Sequence, residues 1–194
     1  MKNVIKLFSL LSVFLISLFM GCQQDVNSPL DSQQPQPANL TINPKTAVVT
    51  TNDNLPLQTH LQLQAAKAAT AKYHDIGKAI ADGYADIDVV VQNMGYHYMD
   101  TAYVKDTFDP GKPALLVYSK NPANGKMRLV AVEYAIPNTD LRPEGFAGDA
   151  DVWENNPDFG LWLLHAWVWY NNPDGIFNEY NPRVHVAPGD VNYQ

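Results

Sequence analysis

The segment "PALLVYSKNPANGKMRLVAVEYAIP", residues 113–137, decides the fold of the chain. Two runs rich in Val, Leu and Tyr flank the polar stretch "KNPANGK", in which Asn124 precedes Gly125. Val and Tyr favour strands, and an Asn-Gly pair between two such runs is a strong signal for a tight hairpin turn. The sequence therefore predicts a β-hairpin that pairs residues 114–119 with residues 127–136.

Other short runs around the hairpin are also typical of strands. "DIDVVVQ" and "MGYHYM" precede it, and "LWLLHAWVWY", residues 161–170, follows it. The last run is apolar on every face, so periodicity alone leaves a buried helix open as the alternative. Its length and its three tryptophans favour a strand. We therefore predict a sheet of four or five antiparallel strands.

A long helix is predicted ahead of these strands, over residues 57–83. Its apolar residues recur at spacings of three and four, which is the pattern of one face of an amphipathic helix. Pro56 suits the first turn of such a helix, and Gly83 suits its end. The sequence therefore predicts an α+β fold, in which one long N-terminal amphipathic helix packs on an antiparallel sheet of four or five strands.

The N-terminus has the pattern of an exported lipoprotein. A basic start precedes an apolar run that is too short to span a bilayer comfortably, and this run leads into "FMGC" at residues 19–22. The tetrapeptide resembles the lipobox of bacterial lipoproteins, which implies that residues 1–21 are a signal peptide and that Cys22 is acylated. We expect the protein in the bacterial cell envelope, anchored to the outer membrane rather than the inner one, on its periplasmic or surface side.

Composition excludes several partners. Residues 22–56 are rich in Pro, Gln, Asn and Ser, which indicates a disordered tether ahead of a single globular domain at residues 57–194. The chain has 13 Lys and Arg residues against 20 Asp and Glu residues, a formal net charge of −7. An acidic surface repels nucleic acid and anionic headgroups. We therefore expect no nucleic-acid partner, and contact with a membrane only through the lipid on Cys22.

The sequence carries no catalytic signature. The only thiol is assigned to the anchor, Ser119 lies in no nucleophile elbow, and no glycine-rich phosphate loop occurs. The sequence therefore leaves enzymatic activity uncertain and favours a protein that is not an enzyme.

Four ionisable residues stand among apolar neighbours: His97, Glu133, His165 and His185. A buried polar side chain is costly unless it has a partner. Two histidines and a carboxylate can hold zinc or another divalent metal ion with one position open. One alternative is that the histidines are core residues bonded to tyrosine or backbone and that Glu133 pairs with Arg128, Arg142 or Arg183. The other is a metal-free His–Glu acid–base or binding site. We expect no cofactor, and the alternative is a divalent metal such as zinc at His97, Glu133 and His165.

Aromatic and amide side chains crowd the last third of the chain. Trp153 stands in a polar stretch beside Asn155 and Asn156, a combination that would suit a saccharide or another small ligand. We therefore add this tryptophan to the four ionisable residues, and the candidate binding cluster becomes His97, Glu133, His165, His185 and Trp153.

Three motifs resemble those of a family of small bacterial secreted proteins and lipoproteins that has no assigned activity. They are "MGYHY", "VEYAIP" and "HAWVWYNNPDGIFNEYNPRV", which are similar to the family patterns MGxHY, VEYxxP and HxWxWxxNPxGxFxxxNPxV. The resemblance covers roughly residues 65–186 and implies a domain assignment but no reaction. The motif positions that it implies are His97, Glu133, His165, Asn172, Pro173, Gly175, Asn181 and Pro182.

Three functional hypotheses follow from these patterns. The first is a lipid-anchored cell-envelope protein whose soluble domain binds a small ligand or ion. The second is a metal-dependent hydrolase that uses His97, Glu133 and His165. The third is a purely structural or protein-interaction lipoprotein.

Replacement of Cys22 tests the predicted anchor. In Cys22→Ala the acyl chains have no attachment point, so the protein should move from the membrane fraction to the soluble fraction of the cell. Fractionation followed by immunoblotting measures this change. A parent protein that is already soluble would contradict the prediction.

Overall fold

The computed structural model describes residues 54–187 and 189–193. The expected signal peptide, Cys22 and nearly all of the expected tether lie outside these residues. The described residues all belong to one unit, which spans Asn39–Gln194. In this part of the chain, no helix is both long enough and apolar enough to cross a membrane.

The described chain begins with a helical segment and continues into six strands. Helix α1 is Leu57–Thr70, a 3₁₀ turn follows at Ala71–His74, and helix α2 is Ile76–Ala81. The strands are β1 (Ala85–Val91), β2 (Gly95–Met99), β3 (Leu115–Lys120), β4 (Met127–Pro137), β5 (Trp153–Asn156) and β6 (Leu161–Ala166). They form one antiparallel sheet in the order β1-β2-β3-β4-β6-β5.

The hairpin predicted from residues 113–137 is confirmed. Strands β3 and β4 pair from Leu115 opposite Glu133 to Lys120 opposite Met127. The turn is closed by the amide of Gly125, which donates to the carbonyl of Asn121 over 2.8 Å. Gly125 has a φ of +68°, a left-handed conformation that glycine adopts without steric cost.

The predicted single long helix is wrong, because the helical segment is interrupted. Asp75 has an extended backbone (φ −90°, ψ 101°), and its side chain accepts a hydrogen bond from the amide of Gly77 to begin α2. An aspartate in this position competes with the helical hydrogen-bond ladder and favours a cap. The apolar spacing also indicated the wrong helix face, because Leu57, Leu61 and Ile80 are exposed. The buried residues of the two helices are Thr59, Leu63, Ala66, Thr70 and Ala79.

The predicted number of strands is also wrong, since the sheet has six. One strand, β5, lies at the sheet edge and pairs only with β6. It reads "WENN", and two of its four residues, Glu154 and Asn155, are exposed, so its sequence looks like a polar loop. The run at 161–170 is a strand as predicted, but only as far as Ala166. Beyond that residue the chain leaves the ladder.

The two faces of the sheet are covered by different parts of the chain. On one face, Leu63 and Ala66 of α1 belong to the same buried cluster as Leu116 and Tyr118 of β3. On the other face, Val117 of β3 packs in a cluster with side chains that follow β6, including Trp167 and Val184. The chain after β6 therefore closes the second face, the one on which His97, Glu133 and His165 lie.

Gly95, which begins β2 two residues before His97, allows a close approach between strands. Its φ is +126°, and a Cβ atom at this position would lie 2.2 Å from the carbonyl oxygen of Tyr118. Gly125 has a φ of +68°, but nothing lies within 4 Å of its Cβ position. Alanine at position 125 would therefore meet only the cost of a positive φ, whereas alanine at position 95 would also collide with the backbone.

We expect Gly95→Ala to destabilise the protein more than Gly125→Ala, because only the former collides with backbone. The cost at Gly125 should be about 1–2 kcal/mol from the left-handed conformation alone. The cost at Gly95 should exceed it by about 2 kcal/mol or more. Urea unfolding of both variants measures the difference, and equal costs would contradict the expectation.

Candidate metal centre

Three strands bring His97, Glu133 and His165 together on one face of the sheet. Glu133 of β4 lies directly opposite His165 of β6. His97 of β2 lies opposite Val117, whereas Glu133 lies opposite Leu115, so His97 and Glu133 are diagonal neighbours across β3. Each residue offers one ligand atom, and the three atoms lie within 4.8 Å of one another.

The distances within this cluster are longer than hydrogen bonds. Nε2 of His97 lies 3.9 Å from Oε2 of Glu133, and Nδ1 of His165 lies 3.4 Å from Oε1 of the same carboxylate. The three side chains are between 3% and 5% exposed. Two ligands of a tetrahedral ion with bonds near 2.0–2.2 Å stand about 3.4 Å apart. The buried cluster can therefore hold a metal ion.

Each histidine ring is oriented by a contact outside the cluster. Nδ1 of His97 lies 2.9 Å from the carbonyl oxygen of Val89. Donation of its hydrogen to that oxygen leaves the Nε2 lone pair directed at Glu133, which is the arrangement typical of metal-binding histidines. The ring of His165 stacks on Trp167 at 5.9 Å, and Nε1 of this tryptophan donates to the carbonyl of Asn178 over 2.6 Å.

One polar atom of the cluster lacks a partner. Nε2 of His165 is buried and has no hydrogen-bond partner among the described residues. A buried nitrogen in this state costs about 1–3 kcal/mol. An ion bound at Nδ1, the ring nitrogen that faces Glu133, would not supply this partner.

Burial controls the charge of the cluster. It lowers the pKa of His97, and it lowers the pKa of His165 to about 3, with a further contribution from His97. It also raises the pKa of Glu133 to about 8, and the carboxylates of Glu154 and Glu179 add to this effect. Without a cation, both imidazoles are therefore neutral at pH 7 and Glu133 is mostly protonated. A bound divalent cation would lower the pKa of Glu133 and stabilise its ionised form.

A cavity of about 280 Å³ opens onto the cluster, and both His97 and Glu133 line it. Glu154 and Glu179 line the same cavity. The pKa of Glu179 is raised to about 7 by burial and by its interaction with Glu154. The other walls are mostly aliphatic or aromatic: Ile87, Val89, Val91, Met94, Met99, Leu115, Phe159, Leu161, Leu163, Tyr180 and Tyr193. Carboxylates in an apolar cavity produce a negative potential that attracts cations.

Two residues of the predicted binding cluster lie elsewhere. His185 is exposed and lines a separate groove beside the β3–β4 hairpin. Trp153 lies opposite Leu164 on β6, and its side chain is buried in the core on the helical face of the sheet, near Phe108. The structure does not bring them together with His97, Glu133 and His165, because strand alternation turns Trp153 to the other face and His185 lies beyond the sheet.

Sequence reasoning missed Glu154 and Glu179 as cavity residues. Glu154 stands one residue after a buried tryptophan in β5, and its pairing with Leu163 places it on the face of His165. The alternation of apolar and polar residues in "WENN" was the available signal. Glu179 follows the last strand in an irregular segment, so no pattern in the sequence could place it beside the cavity.

No known family model, no curated protein and no solved structure matches the chain. The resemblance to a family of secreted proteins and lipoproteins therefore stays a prediction. Two of its motif positions have a visible structural role in this chain. Asn172 donates to the carbonyl of Tyr180 over 2.8 Å, and Asn181 donates to the carbonyl of Asn171 over 3.3 Å. These buried amides hold together the segment that closes the face carrying the cluster.

The raised pKa of Glu133 predicts how the stability of the metal-free protein depends on pH. Folding moves this pKa from 4.5 to about 8, so the stabilisation that it contributes is complete below pH 4.5 and is lost as the pH rises through 8. The histidines have lowered pKa values, so the stability that they contribute is present above pH 6.5 and is lost as the pH falls.

Between pH 6.5 and 8, Glu133 should therefore dominate the contribution of the cluster. We expect the free energy of unfolding to fall with rising pH by up to about 1.4 kcal/mol per pH unit. Glu133→Gln cannot titrate and should show a flatter profile in this range. Urea unfolding in the presence of a chelator, at pH 6.5 and at pH 8.5, measures both slopes. Parallel profiles for the two proteins would show that Glu133 does not have this pKa.

Proposed function

We propose that this protein binds a divalent metal ion, such as zinc, through His97, Glu133 and His165. The observation that carries the proposal is the convergence of three buried ligand atoms within 4.8 Å of one another. Imidazole nitrogen and carboxylate oxygen are ordinary ligands of zinc. The carboxylates of Glu154 and Glu179 in the adjoining cavity support a cation rather than an anion.

A metal-free polar cluster is the principal competing explanation. In that case protonated Glu133 would donate to one of the neutral histidines. The separations of 3.4 and 3.9 Å argue against it, because such hydrogen bonds have lengths near 2.7–3.2 Å. The cavity beside the cluster would also have no explanation.

Three protein ligands leave the ion one position open. Structural zinc sites are closed by four protein ligands, whereas three ligands and an open position are typical of sites at which water or substrate binds. Since His97 and Glu133 line the cavity, we place the open position on its side. The ion would thereby be accessible to a small ligand.

A metal-dependent hydrolase is the second candidate, and one observation favours it. Glu179 lines the same cavity and has a pKa of about 7, which suits a group that accepts a proton near neutral pH. A general base of this kind would act on a water molecule at the open position. Binding without catalysis remains our first proposal, because the sequence carries no signature of a reaction.

The proposed cellular setting is that of a lipid-anchored protein of the cell envelope. It depends on the lipobox-like segment and on Cys22, which lie outside the described residues. In this setting the domain would bind its ion or small ligand outside the cytoplasm. A structural or interaction lipoprotein is the alternative if the domain binds no ion.

Metal content of the purified protein tests the proposal. We expect close to one equivalent of zinc per chain after purification without chelator or affinity tag, measured by elemental analysis. His97→Ala and His165→Ala should each lose it. Removal of a residue that merely orients a metal ligand costs about 10–100-fold in affinity, so loss of a ligand should cost at least about 100-fold.

His185→Ala is the matched control, because it removes an exposed histidine from another surface. This variant should keep the metal and the affinity of the parent. Zinc at 100 times its dissociation constant should also raise the free energy of unfolding of the parent by about 2.7 kcal/mol. Circular dichroism would verify that each variant folds. A metal-free parent that does not take up added zinc would overturn the proposal, and so would retention of zinc in both ligand variants.

A further inference from the structure

A groove beside the β3–β4 hairpin concentrates positive charge on an acidic protein. Its volume is about 1050 Å³, and its cationic side chains are Lys120, Lys126, Arg128 and Arg183. Among the residues that the structure describes, Asp190 is the one acidic residue that lines this groove. We call this surface the hairpin groove. It shares no lining residue with the cavity of the candidate metal centre.

Two guanidinium groups of the hairpin groove are held by consecutive residues. Arg128 lies over the ring of Tyr170 at 4.7 Å. Arg183 donates from Nη1 to Oδ1 of Asn171 over 2.6 Å. Tyr170 and Asn171, which are neighbours in the chain, therefore orient two arginines that line the same groove, and neither contact neutralises a charge.

Neither arginine has a carboxylate partner in the described part of the chain, since no ion pair there includes Arg128 or Arg183. Asp190 is already engaged by Lys120 at 3.0 Å and by the hydroxyl of Tyr96 at 2.5 Å. The one acid of the groove therefore offsets Lys120. The charges of Lys126, Arg128 and Arg183 are left without a counter-charge.

We infer that the hairpin groove binds a small soluble ligand through an oxyanion, either a phosphate or a carboxylate. Arginine presents planar sets of N–H donors that match both groups in a bidentate manner. Arg183 donates to Asn171 from one nitrogen only. Arg128 stacks the flat face of its guanidinium group over the ring of Tyr170. Both arginines therefore retain N–H donors for a ligand. Ser119, which pairs with Arg128 across the hairpin, and Asn121 add neutral hydrogen-bonding groups to the same groove.

The shape and charge of the molecule favour a soluble ligand over a membrane surface. A concave groove surrounds a small molecule, whereas a bilayer presents a broad face to the whole domain. The net charge of −7 would repel anionic headgroups outside the groove. The volume of the groove exceeds that of a single phosphate or carboxylate, so it has room for an organic portion of the ligand. His185 lines the groove and is placed to contact that portion.

Titration calorimetry with the full chain, metal-free and in a non-ionic detergent, tests this inference. Pyrophosphate and citrate serve as the phosphate and carboxylate probes. We expect at least one of them to bind with a dissociation constant below about 1 mM. The double variant Arg128→Gln/Arg183→Gln should bind that probe at least about tenfold more weakly, because both guanidinium groups are lost.

The control is Lys78→Gln/Lys105→Gln, which removes the same amount of charge from residues outside the groove. It should bind the probe within about twofold of the parent, since screened charges at a distance contribute little. Circular dichroism verifies that both variants fold. Because the protein is metal-free, the result does not depend on the metal centre.

Three outcomes would overturn the inference. The first is the absence of binding of either probe up to about 10 mM. The second is equal weakening in the control and in the arginine variant, which would indicate a general electrostatic field. The third is binding of the Cys22→Ala protein to phosphatidylglycerol vesicles in detergent-free buffer, without binding to the soluble probes, which would assign the hairpin groove to a membrane.

Discussion

The register of the central strand β4 is the constraint on which the rest of this structure depends. Side chains alternate between the two faces of a sheet, so a shift of one residue would move Glu133 to the helical face. The hairpin turn at Asn121–Lys126 and the pairing of Glu133 with both Leu115 and His165 set this register. An irregularity in the pairing between Val117 and Tyr118 accommodates the extra residue of β4. The result is one buried carboxylate beside two buried histidines on the face of the sheet that the chain after β6 covers.

Burial gives this group of side chains its chemical character. In water the histidines would titrate near neutral pH and the glutamate would be ionised. In the sheet, desolvation keeps the imidazoles neutral and favours protonation of Glu133. The ligand atoms of the cluster are therefore uncharged at neutral pH. A bound divalent cation would offset the desolvation cost of ionising Glu133. The hairpin groove has the opposite character, since its arginines remain charged and are held by neutral side chains.

The sequence predicted local features better than long-range ones. The hairpin could be recognised because Asn124–Gly125 and two Val- and Tyr-rich runs are adjacent in the chain. The break at Asp75 was missed because apolar spacing continues through it. Strand β5 was missed because an edge strand needs few apolar residues when only one of its sides is paired. His97, Glu133 and His165 attracted attention as polar residues among apolar ones, but their spacing in sequence said nothing about whether they meet.

The amino-acid sequence by itself determined the hairpin, the acidic composition and the presence of polar side chains in apolar runs, because each depends on neighbouring residues or on totals. Only the tertiary structure decided which of these side chains converge. Strand order, with β6 inserted between β4 and β5, brought His165 to Glu133 and left His185 outside. The segment after β6 places Glu179 at the cavity and Arg183 in the hairpin groove, which Arg128 also lines. Such long-range contacts depend on the path of the chain over many residues, and no local sequence pattern encodes that path.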